Sequence, residues 1–395
     1  MDVSPNEQPE SQRIVLVARS LQMGGVERNT VNLADTLAAM GHEVHILVMK
    51  NRREITPSPA VKVHVVDFEK INRYTIIGLV YDLLTRALLR PFLHRSTFLF
   101  RGLYGGLYFR LWLSRFERRI GPVDKIIARG QGSFENIWSF SDPRYFQVVV
   151  SPFGSKPSGT LRERLFTRAI YGGKQLVTNS SGTEDSLRER LEVCRVKPAS
   201  IVRIPNPIPV ERIQTLARQP APLPEAPFIV HVARLTYQKN QELLIRAYHA
   251  AAVVEKLVIV GSGQDEAKLR KLCRELTIED KVFFVGQQSN PYPWMKAARL
   301  FVLTSRFEGF GLVLVESLIC GTPVVAADCP GGVRDVLIEE QARFIAPATV
   351  DGLALKIREA LSMEICIKPE WYERYDAARI AENFLQLRPP LQTRG

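Results

Sequence analysis

Two glutamates eight positions apart, Glu308 and Glu316, bracket a Gly-Phe-Gly turn in the stretch Thr304–Pro330. Gly309 and Gly311 would let a ligand approach the backbone N–H groups where an apolar helix begins, and a helix N-terminus attracts an anion. Glu308 falls in the loop before that helix and Glu316 on its second turn. Two carboxylates able to accept hydrogen bonds from hydroxyls therefore flank the anion position. A ligand that is at once a diphosphate and a polyol, a nucleotide sugar, matches the pair. The same residues have a plainer reading, because acids complement the dipole of any helix start and a glycine-rich turn is often only a turn.

Arg234 and Lys239 weigh against the plainer reading. They follow a strand expected over Phe228–Ala233, at the carboxyl end where α/β sheets bind ligands, with Asn240 placed to cap the next helix. Two fixed cations there could neutralise a diphosphate leaving group without a metal. Alone they would be solvated surface charges; on one sheet edge with the glutamates they complete a site.

The elements that must position these side chains alternate strand and helix. Apolar, β-branched runs at Arg13–Arg19, Glu43–Lys50, Val61–Val66, Lys125–Ala128, Phe146–Val150 and Gln175–Thr178 imply a first parallel sheet, with Gly24 and Gly25 opening a helix over Val26–Met40. Proline clusters at Ile204–Pro207 and Pro220–Pro224 read as a linker. A second series follows, with strands at Phe228–Ala233, Leu257–Val260, Val282–Val285, Leu300–Leu303 and Pro323–Ala326, separated by helices over Asn240–Ala250, Asp265–Leu276, Gly311–Cys320 and Val333–Ile338. The fold class is α/β: two Rossmann-like, doubly wound domains facing each other across a cleft. Residues 1–12 are expected to be a disordered polar tail, 13–207 the first domain, 208–369 the nucleotide-sugar-binding domain, and 370–395 a closing helix, over Trp371–Leu387, with its tail.

Composition narrows the classes. A chain of 395 residues with 46% hydrophobic content can bury two cores, and a formal charge of +12 points to anionic partners. Five scattered cysteines show no metal-type spacing and imply neither a disulfide framework nor a zinc site, as suits a cytoplasmic protein. The start lacks the apolar core of a signal peptide, and no run approaches the ~18 apolar residues of a membrane span. Segment 74–120 interleaves eight arginines with Phe, Tyr and Trp, while its acids are Asp82 and Glu117. Arginines drawn to anionic lipid, with rings entering the acyl boundary, would let it lie on an anionic membrane surface; ordinary sheet-covering helices are the plainer alternative. No nucleic-acid module frames the patch. His42, His45 and His64 fall in strand-like segments and are expected to be structural. Gly261-Ser-Gly263 lacks the third glycine of a dinucleotide fingerprint, so an oxidoreductase is not expected.

Taken in order, Arg234, Lys239-Asn240, Val260-Gly-Ser-Gly263, Phe284-Val-Gly286 and the two glutamates resemble the large retaining glycosyltransferases of family four, with the GT-B fold. The resemblance spans most of the second domain and, through Gly24-Gly25-Val-Glu-Arg-Asn-Thr, the start of the first. It implies that Arg234 and Lys239 bind the donor diphosphate, Glu308 holds sugar hydroxyls across from the reacting carbon and Glu316 accepts from the ribose. The backbone at Phe310, Gly311 and Leu312 would meet phosphate, and Val285-Gly286 would hold the base. Gly24 and Gly25 would let the first domain close on the donor phosphates and acceptor, with Cys329–Gly332 shaping the neighbouring loop. Such enzymes generally need no metal, and no Asp-x-Asp triplet occurs here. Where relatives place a histidine or aspartate near the sugar, this chain has Arg129-Gly-Gln131-Gly-Ser-Phe-Glu135-Asn136, from which Gln131, Glu135 or Asn136 could face the reaction centre.

The expectation is a peripheral enzyme on the inner face of the cell membrane. It would move a hexose or N-acetylhexosamine from a UDP- or GDP-sugar to a lipid-linked or polysaccharide acceptor in surface glycan or lipopolysaccharide assembly, without cofactor or nucleic-acid partner. The alternatives are a GT-B nucleotide-sugar epimerase and a non-catalytic nucleotide-sugar-binding protein.

Overall fold

Strands built from unbroken Val, Ile and Leu are apolar on both faces, so they settle in parallel sheets covered by helices on each side. A computed structural model describes residues 11–22, 24–67, 70, 79–80, 83 and 97–388. It contains two such sheets. β1 (Arg13–Ala18), β2 (Glu43–Val48), β3 (Lys62–Val65), β4 (Lys125–Arg129), β5 (Tyr145–Val149), β6 (Gln175–Thr178) and β7 (Ser200–Arg203) form a seven-stranded sheet in the order β3-β2-β1-β4-β5-β6-β7. β8 (Phe228–Val232), β9 (Lys256–Val260), β10 (Val282–Gly286), β11 (Leu300–Leu303), β12 (Val324–Ala327) and β13 (Ile345–Ala346) form a six-stranded sheet in the order β10-β9-β8-β11-β12-β13. All the paired strands run parallel. Each sheet has an apolar core on both faces, and the two domains pack across a cleft, the GT-B arrangement.

Strand order reverses between β1 and β4 and again between β8 and β11. At such a reversal the crossover helices leave on opposite faces and open a crevice at the strands' carboxyl ends. The segments that follow these four strands therefore form the walls of the cleft.

The sequence did not announce β7 and β13. Both are edge strands, β7 half exposed and β13 two residues long, so neither carries a continuous apolar run. The closing segment also differs from one amphipathic helix. It breaks into Glu370–Glu373 and Ala377–Leu385, because Asp376 caps a fresh start by accepting from the Ala378 N–H at 2.9 Å. Trp371 of the first piece and Tyr375 of the link after it pack into the second domain, while Ile380, Ala381 and Phe384 of the next helix return to the first.

Helix Thr97–Ile120 corrects another expectation. Phe109 and Phe116 are buried, and Trp112 stacks between them, ring centroids 5.8 and 4.8 Å away. These rings cover the sheet and are not free to enter a bilayer. The exposed apolar line is Leu103, Leu107 and Leu111, among exposed Arg110, Arg115, Arg118 and Arg119. Residues 74–78, 81–82 and 84–96 of the basic segment, with Arg86, Arg90, Phe92 and Arg95, lie outside the described residues, as do 1–10 of the tail. His45 and His64 face each other across β2 and β3, with ring nitrogens 3.0 Å apart and both rings edge-on to Phe116. No helix among the described residues is long and apolar enough to cross a membrane.

Candidate active site

Arg234 and Lys239 follow β8, and Glu308 follows β11, so they sit on the two flanks of the second sheet's reversal point. The chain after β8 makes a short 3₁₀ turn, Tyr237–Lys239, that aims Lys239 across the edge. Its Nζ donates to Glu308 Oε1 at 2.5 Å, and Ser305 Oγ donates to the same oxygen at 2.5 Å. Glu308 is 6% exposed and is held by a cation and a hydroxyl, as a buried carboxylate must be. Two donors on Oε1 leave Oε2 as its second accepting edge.

Arg234 is exposed at the mouth of the same edge, and its carbonyl accepts from the buried side chain of Gln241 at 2.9 Å. Asn240 stands at the N-cap of the following helix, but its side chain does not cap it: the backbone is left-handed, φ 52°, and Oδ1 accepts from Arg306 at 3.0 Å.

The helix expected after the glycine turn spans Leu312–Ile319, with Gly311 at its N-cap in the left-handed region, φ 87°. A side chain would strain that position. Phe310 is buried, its ring edge-on to Tyr375, so only its backbone faces the turn. Glu316 lies one turn into the helix and is buried. Burial holds its carboxyl above the usual carboxylate range, with the Arg28 charge and a 3.3 Å hydrogen bond from Tyr292 pulling the other way. At the end of β10 the carbonyl of Val285 accepts from Gln288 Nε2 at 2.8 Å and that of Gly286 from the Gly261 N–H at 2.8 Å.

The first domain supplies the facing wall. Gly24 is the N-cap of the Gly25–Ala39 helix. A Cβ at Gly25 would sit 3.8 Å from Leu312, so the start of this helix meets the start of Leu312–Ile319 across the cleft. One turn on, Arg28 bears on both Glu316 and Tyr292. Neither Arg28 nor Tyr292 stood out in the sequence. The available signal was a cation one helical turn past the Gly24-Gly25 pair, legible only once the helix it faces is known. After β4, Gln131 Nε2 donates to Glu135 Oε1 at 2.6 Å, whereas Asn136 turns its amide back onto the Gly132 carbonyl, also 2.6 Å. Burial raises the Glu135 carboxyl, offset by Gln131 and the charge of Arg19. A Cβ at Gly130 would meet Val26 at 2.9 Å, tying this wall to the Gly24-Gly25 turn.

Among the described residues no group of His, Cys, Asp and Glu is arranged to hold a metal ion. Cavities of about 400 and 430 Å³ flank β7. Chemically the cleft brings together two cations, two buried carboxylates and a helix start, groups able to bind phosphate and to accept from hydroxyls.

Residues 213–379 match the family model described as glycosyl transferases group 1, and residues 23–212 match glycosyltransferase family 4. The N-acetylgalactosamine-N,N'-diacetylbacillosaminyl-diphospho-undecaprenol 4-alpha-N-acetylgalactosaminyltransferase of Campylobacter jejuni is 27% identical, over 95% of this chain and 99% of its own length. A Rickettsia africae glycosyltransferase structure superposes with a TM-score of 0.68 at 15% identity, covering 95% of this chain and 97% of that one. The Anabaena protein HepE, solved with UDP and glucose, superposes with a TM-score of 0.64 at 16% identity, covering 95% and 98%.

Proposed function

The chain is a GT-B glycosyltransferase related to glycosyl transferases group 1 and glycosyltransferase family 4, and from that premise we propose that it moves a hexose or N-acetylhexosamine from a UDP- or GDP-sugar to a lipid-linked acceptor, with retained anomeric configuration, in surface glycan or lipopolysaccharide assembly. The observation that carries the reading is the cluster Lys239–Glu308–Ser305 at the reversal point, with Glu316 one turn into the adjoining helix. Arg234 and Lys239 take the diphosphate, the helix start at Phe310, Gly311 and Leu312 adds backbone dipoles, and Glu308 accepts from sugar hydroxyls beside the reacting carbon. Glu316 accepts from the ribose, and its raised carboxyl marks a site where a hydroxyl partner replaces lost solvation. Val285 and Gly286 line the base position, and Gly24 and Gly25 let the first domain approach. Gln131, and less directly Asn136, line the acceptor side. As the bond from sugar to nucleotide breaks, the departing phosphate oxygen takes the acceptor hydroxyl's proton, and the new bond forms on the same face.

The UDP bound to HepE and the diphospho-undecaprenol in the Campylobacter enzyme's name support this choice of donor and acceptor. A thermal-shift screen of UDP- and GDP-sugars is expected to give one donor that raises the melting temperature, and that donor to yield free nucleoside diphosphate and a glycosylated lipid. An epimerised nucleotide sugar without acceptor would favour the epimerase instead, and binding without turnover the non-catalytic alternative.

Peripheral placement on the inner membrane face belongs to the same proposal. Leu103, Leu107 and Leu111, 38%, 59% and 55% exposed, line one side of helix Thr97–Ile120 among its arginines. The opposite side is pressed so closely to the acceptor wall that a Cβ at Gly102 would sit 2.2 Å from the Glu135 carbonyl. A bilayer under the leucines would bring a lipid-linked acceptor to that wall. Co-sedimentation with anionic vesicles is expected, weakened by Leu107→Glu; equal binding to neutral vesicles would sink the idea.

A further inference from the structure

The loop that carries Glu308 is held in part by the other domain. Its own domain fixes it through a bridge to Gly331, where the Glu308 N–H donates to the Pro330 carbonyl at 3.0 Å. Across the cleft, Ser180 Oγ donates to the Gly309 carbonyl at 2.6 Å, with Thr183 Oγ1 3.3 Å from the same oxygen. Ser180 is also the N-cap of helix Ser181–Val193. One residue further, the Ser181 N–H donates to Asp335 Oδ2 of the second domain at 2.6 Å. An acid at that point meets an orphan N–H and the positive end of a helix dipole together, which makes the bond charge-assisted.

The shapes match the bonds. A Cβ at Gly182 would fall 2.6 Å from the backbone of Gly331, and one at Gly309 would fall 2.0 Å from the Val150 carbonyl. Backbones of the two domains thus meet where glycine alone fits. Asp335 is itself anchored, its carbonyl accepting from Tyr375 Oη at 2.7 Å. Ser180, Gly182 and Asp335 need touch neither donor nor acceptor.

We infer that Ser180 and Asp335 are positioning residues for sugar transfer: they latch the start of helix Ser181–Val193 to the Glu308 loop, so that domain closure and alignment of the Glu308 carboxylate are one event. With the latch open, the second domain still holds a donor through Arg234, Lys239 and Glu316, but the carboxylate is no longer set against the sugar. The kinetic consequence rests on the transferase reading above; the structural one does not.

The test uses the full chain with Asp335→Ala, Asp335→Asn and Gly182→Ala. Small-angle scattering should show an expanded average structure for Asp335→Ala and Gly182→Ala, and the wild-type profile for Asp335→Asn, whose amide oxygen can still accept from the Ser181 N–H. With the donor found in the screen, kcat for the first two should fall about ten- to a hundred-fold, the range of one charge-assisted hydrogen bond, with little change in donor KM. Alanine at 182 favours the helix itself, so a loss there reports the interdomain contact and not local unfolding. Unchanged scattering in both Asp335→Ala and Gly182→Ala would overturn the latch. So would a kcat that falls only in step with the folded fraction. If the wild type turned over no donor, the transferase reading would fail, and scattering would still decide the latch.

Discussion

Lys239→Ala will lower kcat by about 10²–10³-fold, the usual cost of removing one preorganised electrostatic partner of a developing charge. Lys239 has two tasks, and the variant ends both. Toward the donor, it is the cation that the 3₁₀ turn after β8 brings to the sheet edge, and Arg234, exposed at the mouth, is less shielded from water. A charge in a drier site acts at lower effective dielectric, so in the proposed reaction Lys239 would carry more of the diphosphate stabilisation. Toward the protein, it neutralises Glu308, whose side chain is 8% exposed beside a lysine that is 15% exposed. Without it the carboxylate is buried with Ser305 alone, which lowers the melting temperature as well. Lys239→Arg keeps the charge but not the point-like ammonium, and is expected to recover stability more fully than rate. Steady-state kinetics with a melting curve on each variant separate the two tasks. Activity within twofold of wild type in Lys239→Ala would remove this residue from the site.

Why this pair was visible in the sequence, and its surroundings were not, follows from how each is encoded. Strand–turn–helix units are local, and apolar runs of the β8 and β11 kind declare themselves. Arg234, Lys239, Glu308 and Glu316 are therefore legible in the sequence as neighbours on one sheet edge. Ser305 could have been found the same way, since it stands three residues before Glu308, but a serine in a loop carries no signal of its own until the carboxylate beside it is known to be buried. The facing wall is different in kind. Arg28 meets Glu316, and Ser181 meets Asp335, across separations that only the packing of two domains closes. Tertiary context also overrode local preference at Asn240, whose side chain went to Arg306 and not to a helix N–H. Helix Thr97–Ile120 shows the limit of composition: interleaved rings and arginines mark a two-sided helix, but which face is buried depends on Gly102 and Gly106, whose missing side chains let it press against residues 135–140.

Glu308→Gln is expected to cost kcat a similar factor of about 10²–10³, and the double variant with Lys239→Ala little more than either alone. The substitution is nearly isosteric, and its amide oxygen can still accept from Ser305, so the loop should keep its place and the protein its fold. What disappears is the negative charge. That charge has one strong partner inside the protein, the Lys239 ammonium at 2.5 Å, and in the proposed reaction it acts on the sugar as positive charge develops at the reacting carbon. If the two residues acted independently, their losses would multiply, to about 10⁴–10⁶ in the double variant. If they form one unit, with Lys239 fixing the carboxylate and the carboxylate fixing the ammonium against the phosphate, the second removal finds little left to lose. The 2.5 Å contact predicts the second outcome. Multiplying losses would mean that each residue reaches its target without the other, and the ion pair would then be a resting contact rather than a part of the catalytic arrangement.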